Sequence, residues 1–160
     1  MTVGQNGKVN PIPNGYHTLT PYLYIAKADE AIRFYQKAFN AKELFRMEDD
    51  KGKISHAEMQ IGDSRIMLSE ESPKMEAYGP LHYGGSSVGF LLYVEDMDTM
   101  HAQAVAAGAK EERKPTDQFY GDRSSTIVDP FGHKWYLSTH IEEVSPEEMD
   151  RRMDAQKAKA

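Results

Sequence analysis

The strongest constraint on the fold is a plan the sequence runs through twice: a strand, a helix, then three more strands. In the first pass Thr18–Ile25 alternates as a strand, with Leu19, Leu23 and Ile25 on one face and Thr20, Tyr22 and Tyr24 on the other. Pro21 has no amide hydrogen to give a ladder, which suits a sheet edge or a bulge. From Ala28 to Phe39 the period changes: Ala31, Ile32, Tyr35, Ala38 and Phe39 fall at helical spacing, and Asp29 and Glu30 occupy the first turn, where the helix dipole favours them. Asn40, tolerant of the left-handed conformation, ends the helix. Strands at Ala41–Met47, Ile54–Ile61 and Arg65–Leu68 complete the pass, the first two joined by a turn at Asp49-Asp50-Lys51-Gly52. In the middle one His56, Glu58 and Gln60 face one way, and Ala57, Met59 and Ile61 the other.

The second pass has the same order. Val88–Val94 is a strand, and Asp96 or Asp98 opens a helix with Met97, Met100, Ala104 and Ala107 on its apolar face and Gly108 as its stop. Ala109-Lys110-Glu111 then repeats Ala41-Lys42-Glu43 at the same place in the plan. A strand at Ser124–Val128, the turn Asp129-Pro130-Phe131-Gly132 and a strand at Lys134–Leu137 follow. Neither half can cover its own sheet alone, so the pattern predicts an α+β chain of two tandem βαβββ modules, at 16–70 and 87–141.

The remaining segments read as accessories. Residues 1–15 are polar and rich in Gly, Pro and Asn, which predicts a flexible lead-in without the apolar core of a signal peptide. Residues 69–86 have loop composition, and 71–86 read as a linker, or as a lid in which Tyr78, His82 and Tyr83 close over a site. Residues 142–160 hold a helix from about Pro146 to Lys157, with Ser145 as N-cap, proline at the first position and Glu148 placed for a capping box. That helix has few apolar residues and is expected to dock lightly on the body or on a partner subunit.

Composition excludes several chemistries. The 160 residues carry a net charge of −6, which disfavours a nucleic-acid partner. With no cysteine there is no disulfide, thiolate nucleophile or Cys-ligated metal, in keeping with a cytoplasmic protein. No apolar run is long enough to span a membrane. No serine sits in a Gly-x-Ser-x-Gly turn, and Gly84-Gly85 lacks the Lys-Ser/Thr of a phosphate loop.

Several segments together carry a family resemblance. They are Leu19-Thr20-Pro21-Tyr22-Leu23, Ile32-Arg33-Phe34-Tyr35, Ile54-Ser55-His56-Ala57-Glu58-Met59 with Gly62-Asp63-Ser64, Tyr120-Gly121-Asp122-Arg123, Asp129-Pro130-Phe131-Gly132-His133-Lys134-Trp135 and Val144-Ser145-Pro146-Glu147-Glu148. Over residues 17–152 the chain resembles the vicinal oxygen chelate superfamily, and within it the PhnB-like glyoxalase/bleomycin-resistance group. The resemblance implies paired modules whose mixed sheets curl around a cavity, with helices on the convex side, and a homodimer. It does not imply one activity, because one fold hosts many.

Metal-dependent members of that superfamily hold a divalent ion with one ligand on the first and one on the last strand of each module. The matching positions here are Thr20, Met67, Gly89 and Tyr136, a set poorly suited to a hard ion. No cofactor is therefore expected, with a divalent metal as the alternative. The expected cavity wall is Thr20, Tyr22, Tyr24, Met67, Leu91, Tyr93 and Tyr136, with His56, Glu58 and Gln60 as its polar groups. Arg123 is a further candidate for a ligand's anionic group, or a partner for Asp122 or Asp129. His101 is expected on a helix surface and His133 as a turn residue whose hydrogen bond shapes the hairpin. Three functions follow: binding of a small aromatic or cationic molecule without metal; a metal-dependent lyase, isomerase or thiol transferase of the glyoxalase I or fosfomycin-resistance type; and metal-free proton transfer by Glu58 and His56.

Overall fold

The chain was analysed as a computed structural model, which describes residues 9–159. Part of the expected flexible lead-in, residues 1–8, lies outside the described residues. The first module runs β1 (Tyr22–Ile25), α1 (Ala28–Phe39), β2 (Lys42–Glu48), β3 (Ile54–Ile61) and β4 (Ser64–Glu70). After a 3-10 turn (Pro73–Met75) and the short helix α2 (Pro80–Tyr83), the second module runs β5 (Gly89–Tyr93), α3 (Met97–Ala107), β6 (Lys110–Asp117), β7 (Asp122–Val128) and β8 (Lys134–His140). α4 (Pro146–Lys157) closes the chain. Among the described residues no helix is long and apolar enough to cross a membrane.

Each module keeps its own sheet, in the orders β1-β4-β3-β2 and β5-β8-β7-β6, with the first and last strands of each module parallel. Both helices form where the period puts them. α1 buries Ala28, Ala31, Ile32, Phe34, Tyr35, Ala38 and Phe39, and Asn40 ends it at φ 54°. Its N-terminus lacks a side-chain cap of its own, and Glu70 at the end of β4 accepts from the free amides of Lys27 and Ala28 instead. α3 is capped by Asp96, whose carboxylate accepts from the Thr99 amide.

The modules meet through α1 and α3 and an aromatic core between them. Trp135 sits at its centre, with ring centroids 4.6 Å from Phe39, 4.9 Å from Phe90 and 5.4 Å from Tyr35. Gln103 of α3 donates to the carbonyl of Lys37 and the side chain of Asn40, closing the C-terminal end of α1. Asp129 is the polar centre of this core. Its Oδ1 accepts from the amides of Phe131 and His133, and its Oδ2 from Tyr35 and Trp135 Nε1, all within 2.9 Å. Burial and the Asp129 charge push the Tyr35 phenol well above its ordinary pKa, so it stays a donor. Gly132 at φ 92° completes the turn, and α2 packs so closely on it that a Cβ there would lie 2.9 Å from Pro80.

Several expectations need correction. The first strand begins at Tyr22, not Thr18, because Pro21 interrupts it; Leu19 points to solvent, 85% exposed, rather than into the core. Part of the segment read as loop is ordered: β4 extends to Glu70, and a 3-10 turn and α2 follow. His101 is buried rather than surface-lying, donating through Nε2 to Glu111 and facing the Ser125 hydroxyl at 2.9 Å through Nδ1. The Ser125–His101–Glu111 line has the spacing of a catalytic triad, yet Ser125 is only 2% exposed and closed to substrate. Arg123 binds neither Asp122 nor Asp129; Asp98 of α3 and Asp117 hold it on the helix-covered side. The amides around the hairpin turn to Asp129, and the His133 ring makes no hydrogen bond that shapes it.

α4 docks as thinly as its composition predicts, burying none of its residues. Ser145 accepts from the Glu148 amide, while Glu148 pairs with Arg151 and Arg152, which hold its carboxyl down at about 2. Arg152 also donates to the Phe119 carbonyl and to Glu142, fastening α4 to the body. Nearby, His140 lies between Asp122 and Glu143, which raise its pKa above the ordinary 6.5. A raised pKa means the charged pair stabilises fully below pH 6.5 and fades as the pH climbs through the higher folded value. The melting temperature is therefore expected to fall between pH 6 and pH 8, and to fall less in His140→Gln; identical slopes would discard this pairing.

Candidate functional site

The helices cover one face of each sheet, so the other face of each is where small molecules can be met. On the first sheet register lines up Tyr22, Met67, Glu58 and Phe45 across β1, β4, β3 and β2. In the next row Tyr24 lies beside Ser69, and His56 beside Met47. On the second sheet Leu91, Tyr136, Thr126 and Arg113 form one row, and Tyr93, Ser138, Ser124 and Thr116 the next.

The polar groups of the first face are joined in a line. Tyr22 Oη lies 3.0 Å from His56 Nδ1, and His56 Nε2 a longer 3.4 Å from Glu58 Oε1. Tyr16, just ahead of the first module's strand, donates to Glu58 Oε2, and the Arg65 guanidinium stacks 4.8 Å over its ring. Glu58 can only accept, so the His56 proton belongs on Nε2 and Nδ1 accepts from Tyr22. The Tyr16 hydrogen bond holds the Glu58 carboxyl below its usual range, with His56 and Arg65 assisting against partial burial. Burial and Glu58 push the Tyr16 phenol upward. Glu58 is thus a fixed anion that orients His56, and His56 with Tyr22 is the pair able to exchange a proton. Tyr16→Phe is expected to raise the Glu58 pKa toward 4.5, read from its carboxyl carbon shift during an acid titration; an unmoved midpoint would remove Tyr16 as the cause.

Thr20 and Gln60 sit beside this line rather than in it. Thr20 precedes β1 and lines a cavity of about 320 Å³ with Arg65 and Leu91. Gln60 donates to the Gly62 carbonyl and borders a cavity of about 630 Å³ with Leu91 and Tyr93. Tyr93 donates to buried Asp122, the partner of His140. Arg123 is held away from both faces. The two faces remain open: Phe45 is 48%, Leu91 50% and Tyr93 65% exposed. Tyr16 gave no periodic signal in the sequence, and only its distant contact with Glu58 reveals it.

The local geometry at Thr20, Met67, Gly89 and Tyr136, the positions matched to metal ligands in the family, does not favour a metal ion. A Cβ on Gly89 would lie 2.6 Å from Cε2 of Tyr136, so the tyrosine ring fills the place of a ligand side chain there. The Met67 thioether and the Thr20 hydroxyl are poor donors for a hard ion. Among the described residues no group of three or more His, Asp or Glu side chains is arranged to hold one. The residues present do not fit the divalent ion.

The sequence and the fold match a known family. Residues 16–137 match the model of the Glyoxalase/Bleomycin resistance protein/Dioxygenase superfamily, and the chain belongs to it. The uncharacterised protein Rv0887c of Mycobacterium tuberculosis is 38% identical over 141 residues, spanning 86% of this chain and 83% of that relative. Among solved structures, the PhnB protein of Bacillus cereus superposes with a TM-score of 0.62 at 17% identity, over 77% of this chain and 99% of that one. The fosfomycin resistance protein FosX of Listeria monocytogenes gives 0.60 at 18%, over 83% and 97%. At such identities these two likenesses speak to the fold alone.

Proposed function

We propose that the protein binds a small, mainly aromatic molecule with a cationic or polar group, without a metal, between the open face of its first sheet and the open second-sheet face of another copy. The observation that carries this reading is the pair of open faces, with exposed Tyr22 and Phe45 around half-buried Met67 on one sheet and exposed Leu91, Tyr136 and Tyr93 on the other, set beside an ionised Glu58. Exposed apolar surface of this kind marks interaction sites. Rings and a carboxylate suit an aromatic cation, and a homodimer would give each half-site its second wall. Glu58 supplies charge, His56 and Tyr22 supply a hydrogen-bonding pair, and the two tyrosine-rich walls supply area.

A second reading rests on the Tyr22–His56–Glu58 line itself. With a substrate carrying an acidic proton near Tyr22, His56 would take up the proton passed by the phenol while Glu58 stabilised the imidazolium. The glyoxalase I or fosfomycin-type chemistry is less supported, because the four ligand positions carry no good ligand for a hard ion. Thermal melts with benzyltrimethylammonium, with and without a chelator, test the first reading. A rise in melting temperature that survives the chelator supports it; a rise that disappears with chelator and returns with a divalent ion contradicts it.

A further inference from the structure

A further cavity, of about 730 Å³, lies off the free edge of β1, and neither His56 nor Glu58 lines it. The segment from Tyr78 to Val88, including α2, forms its roof; Tyr24, Phe90 and His133 contribute to its walls. No Lys, Arg, Asp or Glu side chain lines it, and its walls are dominated by rings, proline and glycine. The size is that of an ordinary small-molecule site. The roof is organised: the Tyr78 and His82 rings stack at 3.9 Å, Glu71 accepts from the Gly79 amide, and Pro80 and Leu81 seat against Gly132.

His133 is the anomaly in this wall. It is 7% exposed, and although the Tyr24 carbonyl lies near the ring, neither ring nitrogen reaches full hydrogen-bond geometry with any described residue. Buried polar atoms are satisfied in the great majority of cases, so two orphaned nitrogens on one ring need a reason. Burial lowers the His133 pKa, opposed by the Asp129 charge and the nearby Tyr24 carbonyl. The ring is therefore neutral near pH 7, presenting one N–H donor and one acceptor to whatever meets it. A neutral imidazole in an uncharged aromatic wall discriminates against ions and in favour of a flat molecule with a single polar edge.

We propose that this cavity is a separate ligand site that takes an uncharged, flat aromatic molecule whose hydroxyl or amide edge pairs with His133. Tyr22 borders both this cavity and the open face, but His56, Glu58, Met67 and Tyr136 do not line this cavity, so the two sites are distinct neighbours.

The test uses 2-naphthol, 2-methylnaphthalene and 2-naphthoate on the full-length protein, followed by the imidazole nitrogen and backbone amide resonances. The expected result is that 2-naphthol binds about tenfold more tightly than 2-methylnaphthalene, the worth of one hydrogen bond. It should shift the His133 ring nitrogens and the amides of Gly84 and Gly85, while 2-naphthoate binds no better than the hydrocarbon. In His133→Phe the preference for the hydroxyl should vanish, and without ligand this variant should melt higher because two orphaned nitrogens are gone. Should that variant misfold, Tyr83→Ala on the exposed rim serves instead: it should weaken naphthol and hydrocarbon alike and keep the His133 shift. Equal binding of the two neutral probes, absence of binding, or shifts centred on His56 rather than His133 would each overturn the proposal. Binding of the aromatic cation at the open faces is read with a different probe and through Glu58, which does not line this cavity, so the two readings fail separately.

Discussion

Replacing Asp129 with alanine is expected to destabilise the chain by about 4 kcal/mol, close to the whole stability of many small domains. The carboxylate accepts from two backbone amides, the Tyr35 hydroxyl and the Trp135 indole. Alanine leaves all four donors buried without a partner, at about 1–3 kcal/mol for each that water cannot reach. It also loosens the turn that seats α2 and the tether from α1 of the first module to β8 of the second. Tyr35→Phe, which removes one donor together with its need for a partner, should cost only about 1 kcal/mol. Asp98→Ala, which releases Arg123 at the surface, should leave the unfolding midpoint nearly unchanged. Urea unfolding curves of the three variants check this ordering. An Asp129→Ala midpoint close to that of the native protein would mean the carboxylate is not the hub.

Truncating Tyr22 to alanine should weaken benzyltrimethylammonium binding by about thirtyfold, an interface-anchor effect of about 2 kcal/mol. The side chain sits in the first row of the open face and is the one aromatic also bonded to His56. Glu58→Gln keeps the shape and removes the charge, so it should cost about tenfold. Arg123→Ala should change nothing in binding, since Asp98 and Asp117 already hold that guanidinium away from both faces. Calorimetric titrations of the three variants, each confirmed folded, measure the effects. Loss of binding in Arg123→Ala with retention in Tyr22→Ala would place the ligand elsewhere.

The parts of the fold legible in the sequence are those governed by period and by local caps. The helical spacing of Ala28–Phe39, the left-handed stop at Asn40, and the proline start at Pro146 all rest on contacts between near neighbours. The alternation in β3 likewise separates His56, Glu58 and Gln60 from the buried Ala57, Met59 and Ile61. Period reports which face a residue occupies, but not what it meets. His101 looked like a surface histidine because Ser125 and Glu111, its partners, come from β7 and β6. Tyr16 reaches Glu58 across a sequence separation of 42, and Tyr35 reaches Asp129 across 94. The recognisable turn suggests that His133 shapes the hairpin, whereas Asp129 at the head of the turn accepts the amides that do so. Thr20 and Arg123 show the converse: strand parity and the family's ligand positions point Thr20 to the site, its charge makes Arg123 a candidate for an anionic group, and Pro21 and Asp98 decide otherwise.

On the proposed reading, the first-sheet face of one chain and the second-sheet face of another make one binding site. Mixing two variants tests it most directly. Tyr22→Ala cripples only the first face and Tyr136→Ala only the second, so each alone should bind benzyltrimethylammonium poorly. After the two are unfolded together and refolded at equal amounts, random pairing in a two-fold dimer should restore native-like binding to about a quarter of the sites. If instead the site lies within a single chain, every site carries one defect and the mixture binds no better than its parts; that result would contradict the account.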